Sequence, residues 1–519
     1  MMFDYIIVQA GGKGTRLGYL TKNKPKALVP VENLPMIFHL FRKYPDKRFV
    51  IIADYKREVL KKYMGCFADV KYRIVEASGT GTSSGVGKAI ELIPDYEPFM
   101  LIWSDLILPD KFELPKEYLN SENVTRRKSI KGDCEAQLND YIGISKTFPC
   151  RWKYENGRFV EECSVEYGVA GLFLFHDKSA LSGIPESGEL VRWMQGKGMC
   201  FEEVNLAGTR EFGLLEEYEK LDNIKTRPFN HITVNGDMLT KEPVDTQGEY
   251  LAKRECAWYE EAQKKHIKGI PNIYGINPLM MEVIHGKNIY DTGVENDEKY
   301  RILSDLVDIL KKLHTSGGVP EDSFSIKEAY FNKTMARLSR IEELIPFGRD
   351  RYIRVNGRVC RNIFFYKGKL EYALEQLKCS YFSFIHGDCT FSNLMLRENG
   401  EPILIDPRGY FGFTELYGDE RYDWAKLYYS IVGNYDRFNL KKFSLDIGEN
   451  ADEGVKLVIE SNGWEDMEDK FFELTGAVRY EIKLLHAVIW LSLTTYAWQD
   501  YDSICGAFYN GLYYLEEVL

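Results

Sequence analysis

No apolar run in this chain approaches the length of a membrane span, and the most apolar late segment, around Ala487 to Leu493, is far too short. The N-terminus carries Asp4 and lacks the basic stretch that opens a secretory signal. Positive charge is not in excess either. With 67 Lys and Arg against 78 Asp and Glu, the net charge of −11 gives nucleic acid and anionic lipid no general attraction. Ten cysteines (66, 134, 150, 163, 200, 256, 360, 379, 389 and 505) form no CxxC pair and no Cys/His ligand spacing, which points to reduced thiols rather than disulfides or zinc. Internal repeats and low-complexity tracts are absent. The expectation is a cytoplasmic protein with no nucleic-acid partner and no membrane insertion; nothing in the sequence speaks to its oligomeric state.

What is present is size. At 519 residues the chain exceeds what one hydrophobic core usually supports, so two domains are expected. Residues 1–222 alternate short apolar strands (5–8, 49–53, 99–103, 171–175) with helical stretches, the pattern of an α/β sheet wound in βα units. The polar stretch from Asp222 to Pro228 marks the boundary, giving domains 1–222 and 223–519. A hairpin is predicted around Asn235-Gly236-Asp237, with strands at 232–234 and 238–241 and a helix over 249–263. From Ser304 onward the pattern is mainly helical, interrupted by a strand-loop-strand at 382–406.

The first polar constellation is Gln9-Ala10-Gly11-Gly12-Lys13-Gly14-Thr15-Arg16-Leu17, directly after a strand. Gly11, Gly12 and Gly14 let backbone amides approach a phosphate chain closely and form an anion nest, while Lys13, Arg16 and Lys26 add countercharge. A tight strand-to-helix turn is the plainer reading of the glycines alone. Asp105 ends the apolar strand FMLIWSD, as a metal ligand or as a solvated carboxylate. Taken together, GGKGTRL, KPK at 24–26 and FMLIWSD resemble the sugar-nucleotide pyrophosphorylase and cytidylyltransferase family over roughly residues 1–222.

That resemblance implies a Rossmann-like mixed sheet and a nucleotidyltransferase, in which an acceptor phosphate attacks the α-phosphorus of an NTP and pyrophosphate leaves. It places Gly11, Gly12, Lys13, Gly14 and Thr15 on the nucleotide phosphates, Arg16 on the leaving pyrophosphate, and Lys26 on the α- or acceptor phosphate. Asp105 would hold Mg²⁺, and residues 79–84, Gly81 among them, would line the base pocket. One departure stands out. The family's second metal carboxylate precedes a Gly-Thr pair, and here 204–209 reads VNLAGT, leaving Asn205 or Glu203 as candidate oxygen ligands. Gln9 either touches the base or satisfies a backbone group.

The second constellation is His386-Gly387-Asp388, with Asn393 five positions on and Asp406 thirteen further, each following an apolar strand. Phosphoryl transfer needs a carboxylate beside the acceptor hydroxyl and oxygen ligands for the Mg²⁺ on ATP, and this spacing offers both. A structural turn capped by Asp and Asn is the alternative. The segment resembles the aminoglycoside phosphotransferase and choline kinase family from about residue 226 to the end, which implies a protein-kinase-like α+β phosphotransferase domain. By that resemblance Asp388 is the catalytic base, Asn393 and Asp406 bind Mg²⁺, and His386 supports the loop. Lys241 with Glu255, 14 residues later, would orient the ATP phosphates, Lys253 being the weaker rival. Residues 279–284, with Glu282 and Val283, resemble the hinge strand whose backbone would bind adenine; a kinase-type glycine-rich loop is lacking. His314 reads as a packed helix-end residue.

The two constellations suggest consecutive steps: ATP phosphorylates a small alcohol or sugar, and that phosphate then attacks an NTP, CTP or another. The product is a nucleotide-activated precursor for a surface polysaccharide or lipid. Sugar phosphates fit the glycine-loop wording, choline fits the domain pairing, and the late aromatics (Trp490, Tyr496, Trp498, Tyr509, Tyr513) read as core or as a cation-π cage for choline. Two partial readings stay open: a nucleotidyltransferase with a degenerate kinase domain, and a kinase with a nucleotide-binding regulatory N-terminal domain.

Overall fold

Strands rich in β-branched and aromatic residues pair best where both faces are covered, and four such segments, Tyr5–Gln9, Arg48–Ala53, Lys71–Glu76 and Phe99–Trp103, run parallel in one sheet. The structure is a computed structural model that describes residues 3–119, 140–221, 230–291 and 293–519. The chain divides into two units, Met1–Asn223 with Gln499–Tyr501, and Ile224–Trp498 with Asp502–Leu519. The stretch from Asp222 to Pro228 and Cys134 lie outside the described residues.

The first unit is built on a nine-stranded mixed sheet. Gly168–Phe175 joins the parallel set antiparallel, beside Phe99–Trp103, and Asp140–Ser145 and Phe201–Asn205 extend the sheet from it. This is the Rossmann-like mixed sheet that the family resemblance implies, on the α/β strand pattern read from the sequence. Ile7, Ile52, Leu101 and Phe173 fill a core closed by Val86, Leu190 and Met194 from helices. Register decides where the polar loops emerge. Gln9 pairs with Trp103, so the glycine loop and Ser104-Asp105 leave the sheet side by side at the carboxyl edge, where ligands bind in sheets of this kind.

The second unit opens with a four-stranded antiparallel sheet in the order Asn230–Asn235, Met238–Pro243, Leu279–Glu282, Ile273–Ile276. The predicted hairpin is present, with Gly236 at φ 60° in its turn, and the helix Thr246–Lys264 follows. A mainly helical body comes next, including Asn296–Thr315, Lys333–Ile341, Glu420–Ile431 and Arg479–Leu493. One expectation needs correction. The region beyond Ser304 also holds a four-stranded sheet of Arg358–Arg361, Tyr352–Val355, Val455–Ile459 and Phe443–Ile447. Its strands are four or five residues long, too short to interrupt a helical pattern, and the parallel pair is brought together from about 100 positions apart. Among the described residues no helix is long and apolar enough to cross a membrane.

Gly171 interrupts its strand at φ 88°, where the pairing with Asp140–Ser145 shifts register, and a Cβ there would lie 2.1 Å from the Trp103 ring. Gly171→Ala is therefore expected to destabilise the first unit by about 3 kcal/mol, combining left-handed strain with overpacking. Gly157→Ala, at φ 73° but with open space around it, should cost only about 1 kcal/mol. Urea unfolding of the two variants checks the difference, and equal losses would contradict the packing argument.

Candidate active sites

In the first unit the chain leaves the Tyr5–Gln9 strand through Gly11 to Gly14 into a 3₁₀ turn, Thr15–Thr21. Gly11 is a close approach: a Cβ would lie 2.8 Å from that of Asp54, at the end of the next strand. Gly12 faces open space, Gly14 adopts φ 64°, and Lys13 sits over the Tyr55 ring at 5.6 Å. Thr15 and Arg16 are exposed on the turn. Gln9 settles its two options in favour of backbone, donating from Nε2 to the carbonyls of Thr82 at 2.8 Å and Ser84 at 3.2 Å. The 79–84 loop is thereby tied to the glycine loop. On its other side it is clasped by 186–188, with Gly81 at φ 87° leaving room for the Gly188 carbonyl.

Across from the glycine loop, Lys26 lies buried at the start of the turn Lys26–Leu28, its ammonium bound to the Asp105 carboxylate and 3.7 Å from Glu211 Oε1. Glu211 carries no signal in the sequence. It belongs to the two-residue strand Arg210–Glu211, which pairs with Leu106–Ile107, so Glu211 stands opposite the residue after Asp105. The two candidates for the second carboxylate are elsewhere employed or exposed: Asn205 Oδ1 accepts from Ala207 N–H at 2.9 Å, and Glu203 points to solvent. A second carboxylate thus stands beside Asp105, two residues beyond the Gly208-Thr209 pair.

The electrostatics of this knot are asymmetric. Burial would raise Asp105, but the Lys26 ammonium outweighs it and holds the carboxyl below its ordinary range. Glu211 moves upward, pushed by burial and by the Asp105 charge, with Lys26 and Arg16 opposing. The Lys26 ammonium is the countercharge this pair shares. Gly213 keeps the space around it clear, since a Cβ would come 1.9 Å from Glu211 Oε1 and 3.0 Å from the Lys26 ammonium. Two converging carboxylate oxygens in a polar cradle suit Mg²⁺, which takes few protein ligands and keeps several waters.

In the second unit, the strand Tyr381–Phe384 delivers a loop whose backbone is fixed by one buried carboxylate. Asp423 accepts N–H groups from His386 at 2.9 Å and Gly387 at 2.6 Å, and meets His314 Nε2 at 3.0 Å. His314 is thus a packed helix-end residue, as expected, and also a brace for Asp423. The ring of His386 bonds the Ile405 carbonyl at 3.0 Å, linking this loop to the one bearing Asp406. Asp388 lies between the Lys426 ammonium at 2.8 Å and the Asn393 amide, which donates to Oδ2 at 3.0 Å. Burial would raise Asp388, but Lys426 and then Arg408 hold it below the ordinary carboxylate range.

A hairpin brings Asn393 and Asp406 together. Leu394–Arg397 pairs with Pro402–Leu404, and Ile405 N–H donates to the Asn393 carbonyl at 3.0 Å, so Asn393 and Asp406 are neighbours. Asp406, at φ 54°, receives the Lys241 ammonium, which also binds Glu255 at 2.8 Å. The predicted Lys-Glu pair is therefore formed, and Lys253 is exposed. In the segment expected to bind adenine, two amides are engaged within the protein. Val283 N–H is donated to the Asp237 carbonyl at 2.8 Å and Glu282 N–H to the Asn272 carbonyl at 2.9 Å, while the Glu282 carboxylate pairs with Arg397. Neither amide is available to a base. Of the late aromatics read as core or cage, Trp490 and Tyr509 are buried core, and Tyr513 and Tyr496 face the guanidinium groups of Arg358 and Arg337.

Residues 5–122 match the family model described as Nucleotidyl transferase, so the first unit carries a segment of that class. Over 129 residues the chain is 30% identical to the bifunctional protein GlmU of Methanocaldococcus jannaschii, covering 24% of this chain and 30% of that one. It is 33% identical over 108 residues to the UTP–glucose-1-phosphate uridylyltransferase AglF of Haloferax volcanii (20% and 43% covered), and 29% identical over 126 residues to the glucose-1-phosphate cytidylyltransferase of Salmonella typhimurium (19% and 49%). The chain thus spans less than half the length of each of these relatives. Among solved structures, the inositol-1-phosphate CTP transferase from T. maritima aligns at TM-score 0.31 and 18% identity, over 43% of this chain and 97% of that one.

Lys26→Met removes the cation bound to Asp105 and leaves two carboxylates facing each other; at pH 7 the loss should be about 3 kcal/mol. Asp105 is depressed in the native protein, so its contribution is present above the unfolded carboxylate pKa and vanishes as pH falls through the folded one. In the variant both carboxyls are raised and are relieved by protonation. The gap between the two proteins should accordingly be widest near neutrality and close below about pH 4. Hydrogen exchange in the Phe99–Trp103 strand reads it, and a pH-independent gap would refute the charge argument.

Proposed function

We propose that the protein is a two-step enzyme: the second unit phosphorylates a hydroxyl of a small alcohol or sugar with ATP, and the first transfers a nucleotidyl group from an NTP onto that phosphate. The observation that supports this most directly is that each unit has its own carboxylate set facing a phosphate-binding element. In the first unit these are Asp105 and Glu211 opposite Gly11–Gly14, and in the second Asp388, Asn393 and Asp406 beside the Lys241–Glu255 pair. Mg²⁺, held by Asp105 with Glu211 and by Asn393 with Asp406, would neutralise phosphate charge in both.

In the kinase step the acceptor oxygen bonds to the γ-phosphorus of ATP, the bond from that phosphorus to the β,γ-bridging oxygen breaks, and the hydroxyl proton passes to Asp388. A carboxylate held below its ordinary range is a weak base. It orients the hydroxyl and takes the proton late, which suits a loose transition state in which the nucleophile needs little activation. Asp423 keeps the loop in place for this through two backbone N–H groups. In the second step the new phosphate is already ionised, so no base is required. The Gly11–Gly14 amides and Arg16 bind and orient the triphosphate while an acceptor oxygen bonds to the α-phosphorus and pyrophosphate departs. The Lys26 ammonium exchanges its carboxylate partners for the incoming phosphates.

The likeness to sugar 1-phosphate nucleotidyltransferases favours a glycosyl phosphate at the first site, as in the Salmonella relative's name. CTP, or another NTP, is the donor. Asp388→Asn keeps shape but cannot take a proton, and should retain ATP binding while acceptor-dependent ADP release falls at least about 100-fold. Supplying the acceptor already phosphorylated should then restore the nucleotide-linked product, and Glu211→Ala should block that product while sparing ADP release. If the Asn variant still phosphorylates, the kinase assignment fails. If the phosphorylated acceptor gives no pyrophosphate, the first unit is a nucleotide-binding regulator and the two-step reading is overturned.

A further inference from the structure

Beside Asp388 the second unit gathers more positive charge than its own acids balance. Lys333 and Arg337 lie one turn apart on the Lys333–Ile341 helix and share a face. Arg408 packs on the Asp388 loop, where a Cβ on Gly387 would stand 2.9 Å from its own, and its guanidinium lies 4.2 Å over the Tyr410 ring. It donates to the phenol oxygens of Tyr422 at 2.6 Å and Tyr410 at 2.7 Å. Lys426 completes the group and binds Asp388.

Of the four, Lys426 alone ends on a carboxylate. Arg337 donates to the Ser492 carbonyl at 2.5 Å and hydroxyl at 3.0 Å, and Arg408 ends on phenols. For the Lys333 ammonium there is neither a hydrogen bond nor an ion pair among the described residues. Burial and the charges of Arg408, Arg337 and Lys426, against the pull of Glu328, lower it to about 6. Like charges held together in a partly buried site are costly unless an anion joins them. On the kinase reading the ATP phosphates have their own lysine, Lys241, which binds Asp406 and Glu255. A second anion is therefore called for next to the carboxylate that orients the acceptor.

We propose that the acceptor is itself an anion, an alcohol or sugar already bearing a phosphate or carboxylate, which Lys333, Arg337 and Arg408 recognise while Asp388 orients its free hydroxyl. The proposal rests on the kinase reading of Asp388. It excludes choline, whose quaternary ammonium would meet Arg337, Arg408 and Lys426 and tyrosine faces already occupied by arginine.

Calorimetric titration of the full chain, saturated with Mg²⁺ and a non-hydrolysable ATP analogue, tests it with sulfate, an anion that does not titrate near pH 7. One binding component should be accompanied by proton uptake as Lys333 regains its charge. In Lys333→Met and Arg337→Met that component should weaken by at least about tenfold, and in Lys333→Met the uptake should disappear. Glycerol 3-phosphate or glycerate should bind at least about tenfold tighter than glycerol, and choline not at all. Sulfate isotherms unchanged by both substitutions, or glycerol or choline binding as well as the anions, would overturn the proposal. ADP release separates the two ideas: anion-selective binding without acceptor-dependent ADP sinks the kinase reading and leaves the anion site, whereas phosphorylation of choline keeps the kinase and sinks the anionic acceptor.

Discussion

A carboxylate taken out of water needs a countercharge, and in both units that charge is a lysine brought in from a separate element. Lys26 reaches Asp105 and Glu211, Lys241 bridges Glu255 and Asp406, and Lys426 holds Asp388. Removing one partner of such a pair leaves an uncompensated charge, so these contacts constrain where the strand ends and loops can lie. They are also provisional. On the two-step reading proposed above, a phosphate group with its metal ion would offer each lysine and each carboxylate a new partner, so the same ion pairs that hold these sites together would be the ones that substrates exchange.

Much of this was legible in the chain. The Gly11–Gly14 loop and Asp105 could be placed at one sheet edge because strand signals preceded both, and parallel pairing then aligned their ends. Lys241 and Glu255 could be paired because a strand and a helix of obvious period carry them. Glu211 could not be found this way, because its strand has two residues and no periodicity, and only pairing with Leu106–Ile107 brings it to Asp105. Asp423 escaped notice for a related reason: it sits in a helix that reads as amphipathic core, and its role is defined by backbone amides 36 and 37 positions away. The short strands 352–355 and 358–361 did carry a readable signal, the Asn356-Gly357 turn, but their partners did not.

The basic cluster beside Asp388 shows a third kind of limit. Lys333, Arg337, Arg408 and Lys426 are unremarkable as single letters spread over three segments, and composition, with its net acidity, points the other way. Their convergence is a property of how the Lys333–Ile341 and Glu420–Ile431 helices pack around the Asp388 loop. Net charge describes the colloid, and local field describes the site.

The divided attachment of Asp406 gives the second unit a mechanical property. Its backbone continues the Leu394–Leu404 hairpin and is bonded, through Ile405, to Asn393 and His386, all anchored on the helical body by Asp423. Its carboxylate, in contrast, is gripped by Lys241, which belongs to the small sheet. The residue acts as a clutch. The Arg397–Glu282 pair joins the same two parts, so a tilt of the small sheet would strain two ion pairs, one of them at Asp406, while Asp423 continues to hold the backbone of the Asp388 loop.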